Sequence, residues 1–251
     1  MLRLDGVSLA FGGVQAIDDL SLELTQGVVS ALIGPNGAGK TSVLNVISGL
    51  YRPNSGTVRY NDANLLALRA HQRIDHGVAR SFQNVALFQE LSVLDNLRVG
   101  ADHISKAGLI HNLFRLPRSR AHEREANNRA RRVLGFLGID HLRDRRAGEL
   151  SFGDRKMVDM GRALAANPTL LLLDEPVAGM AESQRKWLGE VLQAVPAEYG
   201  ATVLLVDHDM GLVLGVSEHV TVMEFGAKIA EGTPDEIRSD ERVIAAYLGE
   251  D

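Results

Sequence analysis

Hydrophobic and polar positions alternate through the first third of the chain. Leu2 and Leu4, then Leu20, Leu22 and Leu24, then Val58 and Tyr60 against Thr57 and Arg59, follow the two-residue period of strands with one buried face. They predict antiparallel strands. Val28–Ile33 is instead a continuous apolar run, which predicts a strand buried on both faces, and it feeds directly into Gly34. Thr41–Leu50 follows with helical character. Leu170–Leu173 and Val203–Val206 repeat the buried-strand pattern, each followed by acids or a histidine. Between Pro176 and Pro196, the set Trp187, Leu188, Val191, Leu192 and Val195 has helical spacing, which assigns Trp187 to the core. Buried strands alternating with helices predict an α/β fold: a mainly parallel sheet flanked by helices, with an N-terminal antiparallel β-subdomain.

The middle of the chain breaks this pattern. Between Leu91 and Leu150 there is no strong strand signal, and Arg115–Arg146 holds ten arginines against four acids, Glu123, Glu125, Asp140 and Asp144. Val133, Leu134 and Leu137 form one helical face. The stretch predicts an inserted α-helical subdomain at 91–155, within a single domain whose core is 1–90 and 156–251. Its basic face reads as solvated helix surface. Anionic lipid headgroups or an acidic loop of a partner are the alternative.

Composition narrows the class. The chain has 251 residues, 45% of them hydrophobic, enough for a sizeable core, and its net charge of -5 disfavours a general nucleic-acid binder. With no cysteine, disulfides and thiolate metal sites are excluded. No apolar run approaches the roughly 18–20 residues that span a bilayer. The opening MLRLDGVSLA reaches Asp5 without a signal-peptide pattern. These features predict a cytoplasmic chain that serves any membrane through a partner.

Candidate chemistry begins at Gly34-Pro-Asn-Gly-Ala-Gly-Lys40-Thr41, which fits G-x-x-x-x-G-K-[ST] between a predicted buried strand and a helix. Glycines let the backbone approach a phosphate closely, and the amides of Asn36, Gly37, Ala38 and Gly39, with the helix N-terminus at Lys40, Thr41 and Ser42, supply positive partial charge. Lys40 reaches the β- and γ-phosphates, and the Thr41 hydroxyl coordinates Mg²⁺. Asp174 ends a buried strand where it can hold Mg²⁺ through water, and Glu175 is placed to orient and deprotonate an attacking water. His208, after the next buried strand, can reach a γ-phosphate and Glu175, with Asp207 and Asp209 as turn residues. Gln83, where the core gives way to the insertion, can reach both Mg²⁺ and the water. Ser151-Phe-Gly-Asp154 opens another helix with a serine cap and a glycine, a second anion site that one chain does not need. That surplus points to a dimer.

These residues resemble the ATP-binding cassette ATPases almost from end to end. Gly34–Thr41 is similar to the Walker A loop, Gln83 to the Q-loop, Ser151–Asp154 to the signature motif, Asp174 to the Walker B acid, Glu175 to the catalytic glutamate and His208 to the switch histidine. The resemblance implies a P-loop NTPase core, with Phe11 against adenine and Val14 and Ala16 sharing that contact. It also implies a head-to-tail dimer, two ATP molecules being sandwiched between one chain's Walker A and the other's Ser151 and Gly153. Transmembrane permease subunits would be the partners, with a solute-binding protein reached through them, and no nucleic acid. The phrase RSFQNVALFQELSVLDNL, the arginine-rich insertion, DEPVAGM, DHDM and AYLGE most resemble ATPase subunits of branched-chain amino acid importers, with urea and amide importers very similar and the lipopolysaccharide-extracting ATPase less so. Whether two identical or two related chains pair stays open. Soluble cassette ATPases, kinases and GTPases fit less well; the last lack their guanine-reading motif here. Two departures stand out. Asp154 puts a carboxylate beside a phosphate, so it is expected to face solvent or pair with Arg155. Ala181 stands where the family often has Asp or Asn.

Overall fold

The computed structural model describes residues 1–81, 86–102 and 117–248. The early alternating segments form an antiparallel sheet of β1 (Leu2–Phe11), β2 (Val14–Leu24), β4 (Ser55–Tyr60) and β5 (Ala63–Asn64), in the order β2-β1-β4-β5. The second sheet contains β3 (Val29–Ile33), β6 (Val78–Arg80), β7 (Leu170–Asp174), β8 (Thr202–Val206), β9 (His219–Glu224) and β10 (Ala227–Gly232), ordered β10-β9-β3-β8-β7-β6. All its pairings are parallel except β9 with β10.

The continuous apolar runs have a plain cause. Leu32, Leu170, Leu172, Leu204 and Val206 pack toward the first sheet and α1 (Lys40–Ser48), together with Leu4, Leu22, Val43 and Ile47. Their alternates Ala31, Ile33, Leu171, Leu173, Val203 and Leu205 join a separate core under the remaining helices. A strand covered on both faces has no polar face to alternate with. That second core includes residues from α3 (Val93–Asp102), α4 (Pro117–Phe136), α5 (Phe152–Ala165) and α6 (Glu182–Tyr199). The short helix α2 is Ala70–Arg73, and α7 is Met210–Val216. Helices α8 (Pro234–Ser239) and α9 (Glu241–Leu248) close the chain.

Trp187 corrects the sequence reading. It is 44% exposed, while Leu188, Val191, Leu192 and Val195 form the buried face of α6. Its indole N–H donates to the Leu137 carbonyl at 3.1 Å, just past the end of α4. Helix ends leave carbonyls without partners and the indole needs an acceptor, so the ring bridges two helices at the surface. No helix among the described residues is long and apolar enough to cross a membrane.

Candidate active site

The loop between β3 and α1 is shaped by what its glycines allow. A Cβ on Gly34 would lie 2.0 Å from the Met223 carbonyl oxygen, and one on Gly39 would lie 2.1 Å from that of Ala16. Gly39 also has φ 98°, so both space and backbone conformation require glycine there. The loop is held from behind: the Gly226 amide donates to the Ala38 carbonyl at 3.1 Å, and the Asp18 amide to the Gly226 carbonyl at 2.9 Å. α1 begins without a side-chain cap and with no acid in its first turn, so its positive end is left for a ligand. Lys40 is buried, its ammonium donating to the carbonyls of Gly34 at 2.6 Å and Pro35 at 2.8 Å. Asn36 and Gly37 are exposed, Ala38 is buried, and Ser42 is half-buried in the first turn.

Across the loop stands Asp174, at the end of β7. The Thr41 hydroxyl donates to its Oδ1 at 3.4 Å, and Arg80 Nη2 donates to its Oδ2 at 2.8 Å. Burial pushes the Asp174 carboxyl above the usual carboxylate range, and Arg80 pulls against this. The same guanidinium donates through Nη1 to Asn45 Oδ1 at 2.7 Å and Ser48 Oγ at 2.9 Å, both on α1. Arg80 thus clamps the phosphate-loop helix to the end of the acidic strand. It opens the RSFQN phrase, but nothing in that phrase gives it this role. A further signal is its place at the end of a short apolar segment.

Register aligns the remaining groups. Asp174 pairs with Val206 on β8, so Glu175 and His208 come to the same sheet edge. Glu175 has φ 47° and donates its amide to the Val206 carbonyl at 2.7 Å. His208 Nδ1 lies 3.8 Å from Glu175 Oε1. Asp207 Oδ1 accepts the amides of His208 and Asp209 at 2.8 and 3.0 Å, and Asp209 caps α7 through the Leu212 amide at 3.0 Å. Asp207 is fully buried and its carboxyl is pushed upward by that burial. Gln83 lies outside the described residues. Phe11 is 46% exposed and meets Tyr51 edge-on, centroids 5.0 Å apart. Val14 is exposed beside it on the hairpin.

Ser151 caps α5, accepting the Asp154 amide at 3.1 Å. Of the two expectations for Asp154, facing solvent or pairing with Arg155, the first is met in part, since the residue is half-buried, and the ion pair is not what its oxygens make. Its Oδ2 accepts the Ser151 hydroxyl at 2.7 Å and its Oδ1 the Gln184 amide group at 3.4 Å. Adjacent helical residues do not face one another, and a carboxylate in the first turn is favoured by the helix dipole. Gly153 is buried against Gln184, and Ala181 donates its amide to Gln184 Oε1 at 3.4 Å.

The residues fit a Mg-triphosphate: a glycine cradle, an uncapped helix start, a buried ammonium, and a hydroxyl touching a buried carboxylate. Among the described residues no group of three or more His, Asp or Glu could hold a metal alone. One carboxylate and one hydroxyl suit Mg²⁺, which takes further ligands from phosphate and water.

Residues 17–178 match the family model for ABC transporter, and residues 227–251 match that for branched-chain amino acid ATP-binding cassette transporter. The high-affinity branched-chain amino acid transport ATP-binding protein LivG of Salmonella typhimurium is 39% identical over 250 residues, covering 100% of this chain and 98% of that protein. The lipopolysaccharide export system ATP-binding protein LptB of Escherichia coli is 34% identical over 253 residues, with the same coverage. A crystal structure of an ATP-binding cassette of an ABC transporter in its ADP conformation superposes with TM-score 0.85 at 33% identity, over 100% of this chain and 99% of that one.

Proposed function

The chain belongs to the ABC transporter family as an ATP-binding ATPase subunit, and from that premise we propose that it hydrolyses Mg-ATP to drive an importer of branched-chain amino acids. The observation that carries the nucleotide chemistry is the closure of the Thr41 hydroxyl on Asp174, 3.4 Å across 133 positions of sequence. Support for the substrate class comes from full-length identity to LivG and from the match over residues 227–251. LptB, at lower identity, is the more distant reading.

In this mechanism the amides of Asn36, Gly37, Ala38 and Gly39, with the first turn of α1 through Ser42, cradle the phosphates. The Lys40 ammonium leaves the carbonyls of Gly34 and Pro35 for the β- and γ-phosphate oxygens. Thr41 and Asp174 would hold Mg²⁺, with Gln83 as the ligand the family resemblance implies, and the ion would neutralise charge on the phosphates. Glu175 orients the attacking water and accepts its proton, and His208 holds the γ-phosphate and Glu175 together. Phe11 stacks on adenine. Ser151 and Gly153 of a second cassette, identical or related, complete the site from the opposite side.

Coupling to a membrane follows from the same parts. A permease subunit docks in the apolar cleft of about 480 Å³ lined by Leu50, Ile74, Val99 and Ala163, whose wall includes Arg80, the clamp on Asp174. The solute-binding protein acts only through the permease, at the far side of the membrane, and the ATPase stays on the cytoplasmic face. The test is ATP turnover by the chain reconstituted with its permease in proteoliposomes. Stimulation by binding protein loaded with leucine, isoleucine or valine, and none by RNA or DNA, is the expected result. Stimulation by urea or lipopolysaccharide instead would reassign the substrate, and absence of Mg-ATP turnover would remove the function.

A further inference from the structure

The inner face of α5 carries a lysine that the phosphate chemistry above leaves unused. Lys156 is 7% exposed, and its ammonium donates to the main-chain carbonyl of Glu175. Burial pulls the Lys156 ammonium below the ordinary lysine range while Asp207, Glu175, Asp174 and Asp159 pull against this, so the ammonium lies beside the ends of two neighbouring strands, β7 and β8. Burying an ammonium is costly, and the acids and the Glu175 carbonyl offset only part of that cost. Phe152 adds to the enclosure, with Lys156 Nζ 5.5 Å from its ring centroid.

The same short stretch of α5 grips the loop after Glu175 at further points. A Cβ on Gly179 would meet the Phe152 ring at 2.9 Å, so the two pack directly. Gln184 meets Asp154 at 3.4 Å and lies where a Cβ on Gly153 would come within 2.6 Å of it. Ser-Phe-Gly-Asp and the segment from Glu175 to Gln184 are therefore one packed unit. Glu175 sits in the left-handed region, φ 47°, which an L-residue holds only when its surroundings impose it. Three contacts on its main chain impose it here: its amide donates to the Val206 carbonyl, and its own carbonyl accepts from the Ala178 amide at 3.3 Å and from the Lys156 ammonium.

We infer that Lys156 is a positioning residue for hydrolysis, tying the helix that starts at Ser151 to the backbone of Glu175. The helix start contacts the ATP held by a second cassette, and the brace, five residues or about 7.5 Å further along α5, passes its position to the backbone of the chain's own water-activating residue. Ala181 lacks a side chain that could carry such a message, whereas Lys156 and Phe152 reach across directly. The inference rests on the proposed function, because it requires both ATP sites.

The test compares Lys156→Met, which keeps length and removes charge and donor, with Lys156→Arg. Binding of a fluorescent ATP analogue, kcat, KM and the Hill coefficient for Mg-ATP are measured for each. The expected result is nucleotide affinity near the parent's, a kcat lowered about 10–100-fold by a misplaced base, a Hill coefficient falling toward one, and substantial recovery in Lys156→Arg. If Lys156→Met does not fold, Lys156→Gln, which is neutral and one atom too short to put its donor where Nζ stands, is read the same way. Parental kcat and cooperativity would overturn the inference, as would loss of nucleotide binding and turnover together, the signature of a merely structural lysine. An inactive parent would instead overturn the ATPase reading.

Discussion

Replacing Arg80 with Met isolates the clamp between the phosphate-loop helix and the acidic strand. In the parent the Arg80 and Asp174 side chains are 6% and 0% exposed and 2.8 Å apart, and Arg80 also donates to Asn45 and Ser48. Removing one partner of a buried pair strands the other charge, which costs about 3–5 kcal/mol. The lost bonds to Asn45 and Ser48 add little, because both residues are half-buried and water can replace the donor. Against a total stability of about 5–15 kcal/mol the variant still folds. At roughly 2–4 °C per kcal/mol for a domain of this size, the melting temperature falls by about 6–20 °C. The loss should depend on pH. Asp174 already has a raised folded pKa, and without Arg80 it rises further. The penalty attaches to the ionised carboxylate, so it is full above the variant's raised folded pKa and shrinks as pH falls through that value and the group is protonated. Arg80→Lys keeps the charge but not the fork that spans three acceptors, and should fall between the two. Urea denaturation followed by circular dichroism, without nucleotide, at neutral pH and near pH 4 measures both effects. A loss below about 1 kcal/mol at neutral pH, or one that does not shrink in acid, would refute the reasoning.

Other variants probe separate parts. Gly39→Ala puts a methyl 2.1 Å from the Ala16 carbonyl oxygen and should abolish Mg-ATP binding by calorimetry; retained affinity would show that the loop can open without loss. Asp154→Asn removes a carboxylate that holds the Ser151 hydroxyl at 2.7 Å, and should tighten ATP-driven pairing of cassettes in analytical ultracentrifugation at a cost of about 0.3–1 kcal/mol in helix stability. Tyr199 has its phenol pushed up to about 12 by burial against Phe136 and its surroundings. The unfolded chain gives up that proton near pH 10 while the fold retains it, so stability should fall as pH rises from 10 toward 12. Tyr199→Phe should flatten that fall in alkaline denaturation curves; an unchanged slope would argue against a buried phenol.

Much of this was legible before any coordinates. Continuous apolar runs marked β3, β7 and β8 because each is covered on both faces, and alternation marked β1, β2 and β4 because each has one polar face. The glycine loop was readable because its residue types answer to backbone strain and close approach at Gly34 and Gly39. What escaped depends on contacts distant in sequence. Arg80 reaches Asp174 across 94 positions through the pairing of β6 with β7, which no local pattern encodes. Lys156 sits in a charged-looking run, yet the rotation of α5 turns it inward. Trp187 has core spacing, but the helical period gives only the angle around the axis, and at that angle the ring reaches the end of α4 rather than the interior.

The central claim is that two cassettes close on ATP, with Glu175 as the group that activates water. Glu175→Gln, incubated with Mg-ATP and analysed by sedimentation velocity alongside phosphate release, tests it most directly. The account predicts a nucleotide-loaded dimer with almost no phosphate released. A monomer under saturating Mg-ATP, or release at the parental rate, would contradict it.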